Sequence, residues 1–177
     1  MEPWLAGMRE ESYAPGELLV QAGSRPGRLF ILCQGLVRLY YVTPEGKERN
    51  KAFFAAGDIT GAVSAAMTGE PAPFSIEALE PVSALSADFA ALLEQVETEP
   101  AINALYRSLL ATAFIRNEQR EAMLLTCNAE QRYQWLEDNE PALLERVPQF
   151  HIATYLGVDP VSLSRIKRKL AVGGDSG

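Results

Sequence analysis

Between Leu156 and Leu170 the sequence reads LGVDPVSLSRIKRKL, and four of its last six residues, Arg165, Lys167, Arg168 and Lys169, are cationic. Guanidinium and ammonium groups at this density are suited to binding polyanions. They hold phosphate oxygens, and an arginine can also clasp O6 and N7 of a guanine with two hydrogen bonds. Ser162 and Ser164 add hydroxyls that can hold phosphates or base edges. The whole chain has 177 residues and a net charge of -7. From Arg146 to Leu170, however, five cationic side chains face one acid, Asp159, which leaves +4 on that stretch and -11 on the remainder. An acidic body with one basic patch points to a focused polyanion contact; a solvated helix face is the alternative that charge alone leaves open.

Other chemistries are poorly supplied. The sole histidine, His151, cannot provide the several imidazoles of a cupin-type metal centre. A Ser-His-Asp site would have to use the same residue, and no GxSxG motif accompanies it. Cys33 and Cys127 are the only cysteines, far apart and without metal-ligand spacing, which fits a reducing compartment better than a disulfide framework. Cys33 lies in an apolar run and is expected to be buried. No apolar run reaches the roughly 18 residues of a membrane span, and MEPWLAGMREE does not read as a secretory leader. The expectation is a cytoplasmic protein that is not an enzyme and carries no metal.

The basic run sits on a helix. Asp159 suits an N-cap and Pro160 the first helical position, while Gly157 stops a preceding helix within PQFHIATYL. Leu163, Ile166 and Leu170 recur at helical spacing and must face inward, which turns Val161, Ser162, Ser164, Arg165, Arg168 and Lys169 outward or to the flanks. Two short helices around a glycine turn fit a helix-turn-helix, whose second helix enters the DNA major groove with its N-terminal turns toward the bases. Lys167, Arg168 and Lys169 lie beyond, where flanking phosphates run.

Upstream, residues 16 to 88 read as short strands separated by glycine turns, as in a sandwich, roll or barrel. After Asp88 the pattern becomes helical. Ile102, Leu105, Leu109, Ala113, Arg116, Arg120 and Met123 recur at steps of three and four. That stripe fits packing within the chain or a two-helix dimer seam, and spacing does not choose between them. Asn128 with Gln131 resembles a capping box, and Pro141 stands early in a short helix.

The tail HIATYLGVDPVSLSRIKRKL resembles the helix-turn-helix of the Crp/Fnr transcription regulators. RYQWLEDNEPALLERVPQ is similar to the lead-in of one branch of that family, and GLVRLYYVTPEGKE, FFAAGDITG and FSIEAL resemble its cyclic-nucleotide-binding β-roll. The resemblance spans nearly the whole chain and implies an α+β fold. An N-terminal double-stranded β-helix of jelly-roll type would cover residues 1–98, a long dimerisation helix residues 99–127, and a winged-helix-like helix-turn-helix domain residues 128–177. The wing would be short or missing, because little sequence follows Leu170. The implied function is sequence-specific recognition of palindromic double-stranded DNA by a homodimer, with RNA polymerase as a further candidate partner. Carried over by the resemblance, Gln149 contacts backbone, Ser162 phosphate or base, Arg165 a base and Arg168 phosphate.

The effector region departs from the family pattern. The candidate pocket comprises Gly61, Ala62, Val63, Ala72, Pro73 and Phe74. Cyclic-AMP-binding members place a glutamate at the Ala62 position and Arg-Ser-Ala where Ala72, Pro73 and Phe74 stand. A buried cyclic phosphate would lack its cation, so cyclic AMP is not expected, and no other cofactor is assigned. No N-terminal cysteine cluster is present for an iron–sulfur centre. A ligand-sensing or protein-interaction module that does not bind DNA specifically is the alternative function.

Overall fold

In the computed structural model, residues 7–25 and 27–173 are described. Strands β1 (Arg9–Tyr13), β2 (Leu18–Val20), β3 (Arg28–Gln34), β4 (Leu36–Val42), β5 (Glu48–Ala55) and β6 (Ile59–Gly61) come first. A short helix α1 (Val63–Thr68), strands β7 (Ser75–Ala78) and β8 (Val82–Asp88), and helices α2 (Phe89–Thr98) and α3 (Pro100–Thr126) follow. The chain then runs through α4 (Ala129–Asn139), α5 (Pro141–Arg146), α6 (Gln149–Leu156) and α7 (Pro160–Gly173). The expected α+β class is the observed one.

The strands form two four-stranded sheets, in the orders β1-β8-β3-β6 and β2-β7-β4-β5. The pairs β1–β8, β3–β8, β3–β6, β2–β7 and β4–β7 are antiparallel. Neighbours remote in sequence, such as β3 and β8, make this a roll and not a succession of hairpins. Side chains from both sheets, among them Phe30, Leu32, Val37, Leu39 and Ile76, share one apolar core. Gly35 permits the β3–β4 turn. Its φ is +94°, and a Cβ there would stand 2.5 Å from the Pro81 carbonyl oxygen, so a side chain is excluded on both counts.

One expectation fails on β3. Cys33 is exposed, not buried. The β3–β8 register shifts between Leu32 and Gln34, a bulge that interrupts the alternation and turns the thiol out of the core.

The chain divides into two compact units, Met1–Lys47 with Lys51–Thr112, and Glu48–Asn50 with Ala113–Gly177. Helix α3, 27 residues and about 40 Å long, begins in the first and ends in the second. In the first unit α2 is capped by Asp88, whose carboxylate accepts from Ala91 N–H at 3.0 Å. Phe89, Leu92, Leu29 and Ile102 form a second apolar cluster there.

In the second unit α4 starts with the expected capping box. Asn128 Oδ1 accepts from Gln131 N–H at 3.0 Å and Gln131 Oε1 from Asn128 N–H at 2.9 Å. Arg132 then gathers three helix-end carbonyls. It donates to Leu124 and Cys127 at 2.8 and 2.9 Å and to Leu156 at 3.0 Å. A guanidinium at helix C-termini satisfies orphan acceptors and opposes the dipole. Asn50, buried in this unit, donates from its amide to the His151 carbonyl at 3.0 Å and to Thr154 Oγ1 at 2.6 Å. Arg120 donates to the carbonyls of Asn50 and Tyr155, each at 2.9 Å. These long-range bonds hold α6 from its buried side.

Candidate nucleic-acid interface

Helix α6 ends on Gly157, in the left-handed region at φ 68° and ψ 29°. Its N–H and that of Val158 both reach the Ala153 carbonyl, closing the turn. Asp159 then starts α7, Oδ1 accepting from Ser162 N–H at 2.8 Å and Oδ2 from the Ser162 hydroxyl at 2.5 Å. The Ser162 hydroxyl, followed by the Ser162 backbone N–H, holds the Asp159 carboxyl below its ordinary range. Leu163 and Ile166 are buried, as the spacing predicts, and Leu170 is half-buried.

Fixing that inner face decides the outer one. Val161, Ser164, Arg165, Arg168 and Lys169 are exposed, Ser162 and Lys167 are half-buried, and Gln149 is exposed at the start of α6. Val161, Arg165 and Arg168 follow one another at four- and three-residue steps on one stripe. Two of the expected contacts already have partners. The hydroxyl proton of Ser162 is directed at Asp159, so toward a ligand this side chain offers acceptor lone pairs. Lys169 Nζ is 2.6 Å from Glu130 Oε1, an exposed ion pair of the kind that a phosphate can replace at little cost. A shallow recess beside Arg165 is lined by Asn128, Ala129, Glu130, Ser162, Arg165 and Ile166. The wing expectation concerns residues after α7, and 174–177 lie outside the described residues.

Around the expected effector pocket, Ala62, Ala72 and Phe74 are buried members of the apolar core. Val63 is half-buried and Pro73 exposed. Backbone bonds between Ala72 and the Gly23–Ser24 turn, at 2.7 and 2.8 Å, occupy this segment. The Phe74 ring packs edge-on against Tyr41 at 5.8 Å, with Lys51 Nζ 4.9 Å from its centroid. Ala62 and Ala72 bring apolar methyl groups, not charge, to this segment.

Along α3 the stripe divides. Ile102 and Met123 are buried within the chain itself, and Leu109 is half-buried. Arg116 is 3.7 Å from Glu140, and Arg120 binds the carbonyls described above. Leu105 and Ala113 are exposed. The large exposed apolar residues of the helix are Leu105, Leu110, Phe114, Ile115 and Leu125, with Phe114 the barest of the first four at 69%. Leu110, Phe114, Ile115 and Leu125 were not singled out by the sequence reading. Leu110, Phe114 and Ile115 each adjoin a residue of that stripe, and Leu125 lies two positions beyond Met123.

The first unit holds the β-roll, and the second holds a helix-turn-helix with a cationic outer stripe. The cyclic nucleotide-binding domain family matches residues 10–99. The chain belongs to that family. The fumarate and nitrate reduction regulatory protein of Vibrio cholerae is 26% identical over 124 residues, 70% of this chain and 49% of that protein. The matched stretch thus spans about half the length of that curated relative. Among solved structures, FixK2 from Bradyrhizobium japonicum superposes with a TM-score of 0.81 at 19% identity, covering 94% of this chain and 86% of the other. A CooA variant from Carboxydothermus hydrogenoformans gives 0.74 at 23%, covering 96% and 79%. At these identities the two structures attest the fold. Among the described residues no helix is long and apolar enough to cross a membrane.

Proposed function

We propose that this chain is a cytoplasmic, sequence-specific DNA-binding transcription regulator, not an enzyme, that acts as a homodimer on palindromic double-stranded DNA. The single observation that carries the reading is the outer stripe of α7. A capped helix presents Arg165 and Arg168 outward on the face opposite buried Leu163 and Ile166. Arg165 lies about one and a half turns from Asp159, near enough to the helix start to reach base edges in a major groove. Arg168, Lys167 and Lys169 follow toward the phosphates, with Gln149 contacting backbone from α6. Ser164, exposed beside Arg165, offers a further hydroxyl to phosphate or base, and Ser162 serves chiefly to seat the cap.

The exposed apolar residues Leu110, Phe114, Ile115 and Leu125 supply the surface for a second copy. A symmetric pair would place two recognition helices about 34 Å apart, one per half-site. RNA polymerase is the further partner that such a regulator would meet. Cyclic AMP is not the effector, because Ala62 and Ala72 offer neither a ribose acceptor nor a phosphate cation. Selection of duplexes from a randomised library with the full chain tests the reading. A palindromic consensus bound with a steep loss of affinity as salt rises is expected. Salt-insensitive binding, or no enriched sequence, would overturn it.

A further inference from the structure

Among the residues of α7 whose side chains are described, Val161 is an apolar residue on an otherwise polar and cationic face. It is 60% exposed in the first turn of α7, on the same stripe as Arg165 and Arg168, and it fills no part of the buried core. Its neighbours fix where it points. Asp159 holds Ser162 through two hydrogen bonds, and Leu163 is buried, so the helix cannot roll Val161 inward without breaking the cap and exposing that leucine. The two methyl groups of Val161 therefore stand in water in the free protein, at the end of the helix that leads into the groove.

Of all the groups displayed in the major groove, one is apolar, the C5-methyl of thymine. A valine on the groove face has no hydrogen bond to offer, so that methyl is the only feature it can recognise favourably. Opposite a cytosine amine or a phosphate it would strip water from a polar group without replacing it. We propose that Val161 is a specificity-determining residue that packs against a thymine C5-methyl in each half-site. The proposal rests on the DNA-reading role of α7 given above. Val161 and Arg165 are four residues apart, about 6 Å along the axis. The thymine therefore lies within about two base pairs of the guanine clasped by Arg165, given a rise of about 3.4 Å per base pair.

The test uses the full chain and the palindromic duplex enriched by selection. Each thymine is replaced in turn, symmetrically, by deoxyuridine, which removes only the methyl group. One thymine per half-site, within about two base pairs of the guanine whose preference disappears in Arg165→Ala, should show a loss of about fourfold per half-site, or roughly fifteenfold for the duplex, the worth of one buried methyl in each half-site. Val161→Ala should bind the thymine duplex more weakly by a similar factor and respond little to deoxyuridine at that position. Val161→Ile should retain the response. Dependence on Arg165 with no deoxyuridine effect, or an effect unchanged in Val161→Ala, would overturn the role of Val161 and leave the DNA reading standing. Failure to enrich any sequence would overturn both.

Discussion

Replacing Tyr155 with phenylalanine tests how the helix-turn-helix unit is held together. The phenol is buried at 1% exposure, with its hydroxyl 3.1 and 3.3 Å from the two carboxylate oxygens of Glu140, which Arg116 also approaches. A hydrogen bond to a charged group contributes about 1.5–3 kcal/mol net, and phenylalanine fills the same volume, so the variant should lose about 2 kcal/mol near neutral pH. In a chain of this length that is a fall in Tm of about 4–8 °C. The pH dependence is the sharper signature. Burial, reinforced by the Glu140 charge, raises the Tyr155 phenol well above its ordinary 10.0. A group with a raised folded value contributes stability that is complete below its unfolded value and is lost as pH climbs above it. The loss runs at up to about 1.4 kcal/mol per pH unit. The gap between wild type and Tyr155→Phe should therefore narrow above about pH 10 and close near pH 11.5. Urea unfolding followed by far-ultraviolet dichroism at several pH values measures it. A gap that stayed constant from neutral to alkaline pH would refute the buried, neutral, hydrogen-bonded phenol.

Three further outcomes are expected. Gly157→Ala should lower the unfolding free energy by about 1–2 kcal/mol for the left-handed backbone alone, and with it the urea midpoint. Its Cβ would also stand 3.1 Å from the Arg132 Nη1 that donates to Leu156; an unchanged midpoint would contradict the turn geometry. Leu110→Glu with Phe114→Glu should give a folded monomer by sedimentation and weaken operator binding, whereas a wild type that is itself monomeric would remove the dimer proposal. Calorimetry with cyclic AMP should show no saturable heat, and low-micromolar binding would require a cation other than the alanine-lined segment supplies.

How far the sequence foretold this depended on the range of the physics. The caps at Asn128 and Asp159, the Pro141 helix start and the Gly157 stop were legible because each is set by residues within three or four positions. The roll was legible as a class, from strand length and turn spacing, but the bulge that exposes Cys33 arises from pairing with β8, some fifty residues away. Arg132 and Asn50 escaped notice for the same reason. Asn50 bonds residues 101 and 104 positions distant, and nothing local marks it. On α3 the three- and four-residue spacing of Ile102 to Met123 is the same for a face turned to its own chain as for one turned to a partner. The exposed cationic stripe of α7 was legible because the inner face, Leu163 and Ile166, is strictly periodic and fixes the outer face by difference.

The most direct measurement is the ratio of affinities for operator and scrambled duplex, in wild type, Arg165→Ala and Lys169→Ala, at several salt concentrations. A bidentate arginine–guanine pair is worth about 1–3 kcal/mol of discrimination. Arg165→Ala should therefore reduce the ratio roughly ten- to a hundredfold and flatten preference at one base per half-site. Lys169→Ala should weaken both duplexes alike and lower the salt slope by about one unit. An Arg165→Ala protein that lost affinity equally for both duplexes would make Arg165 a phosphate clamp and contradict the base-reading helix.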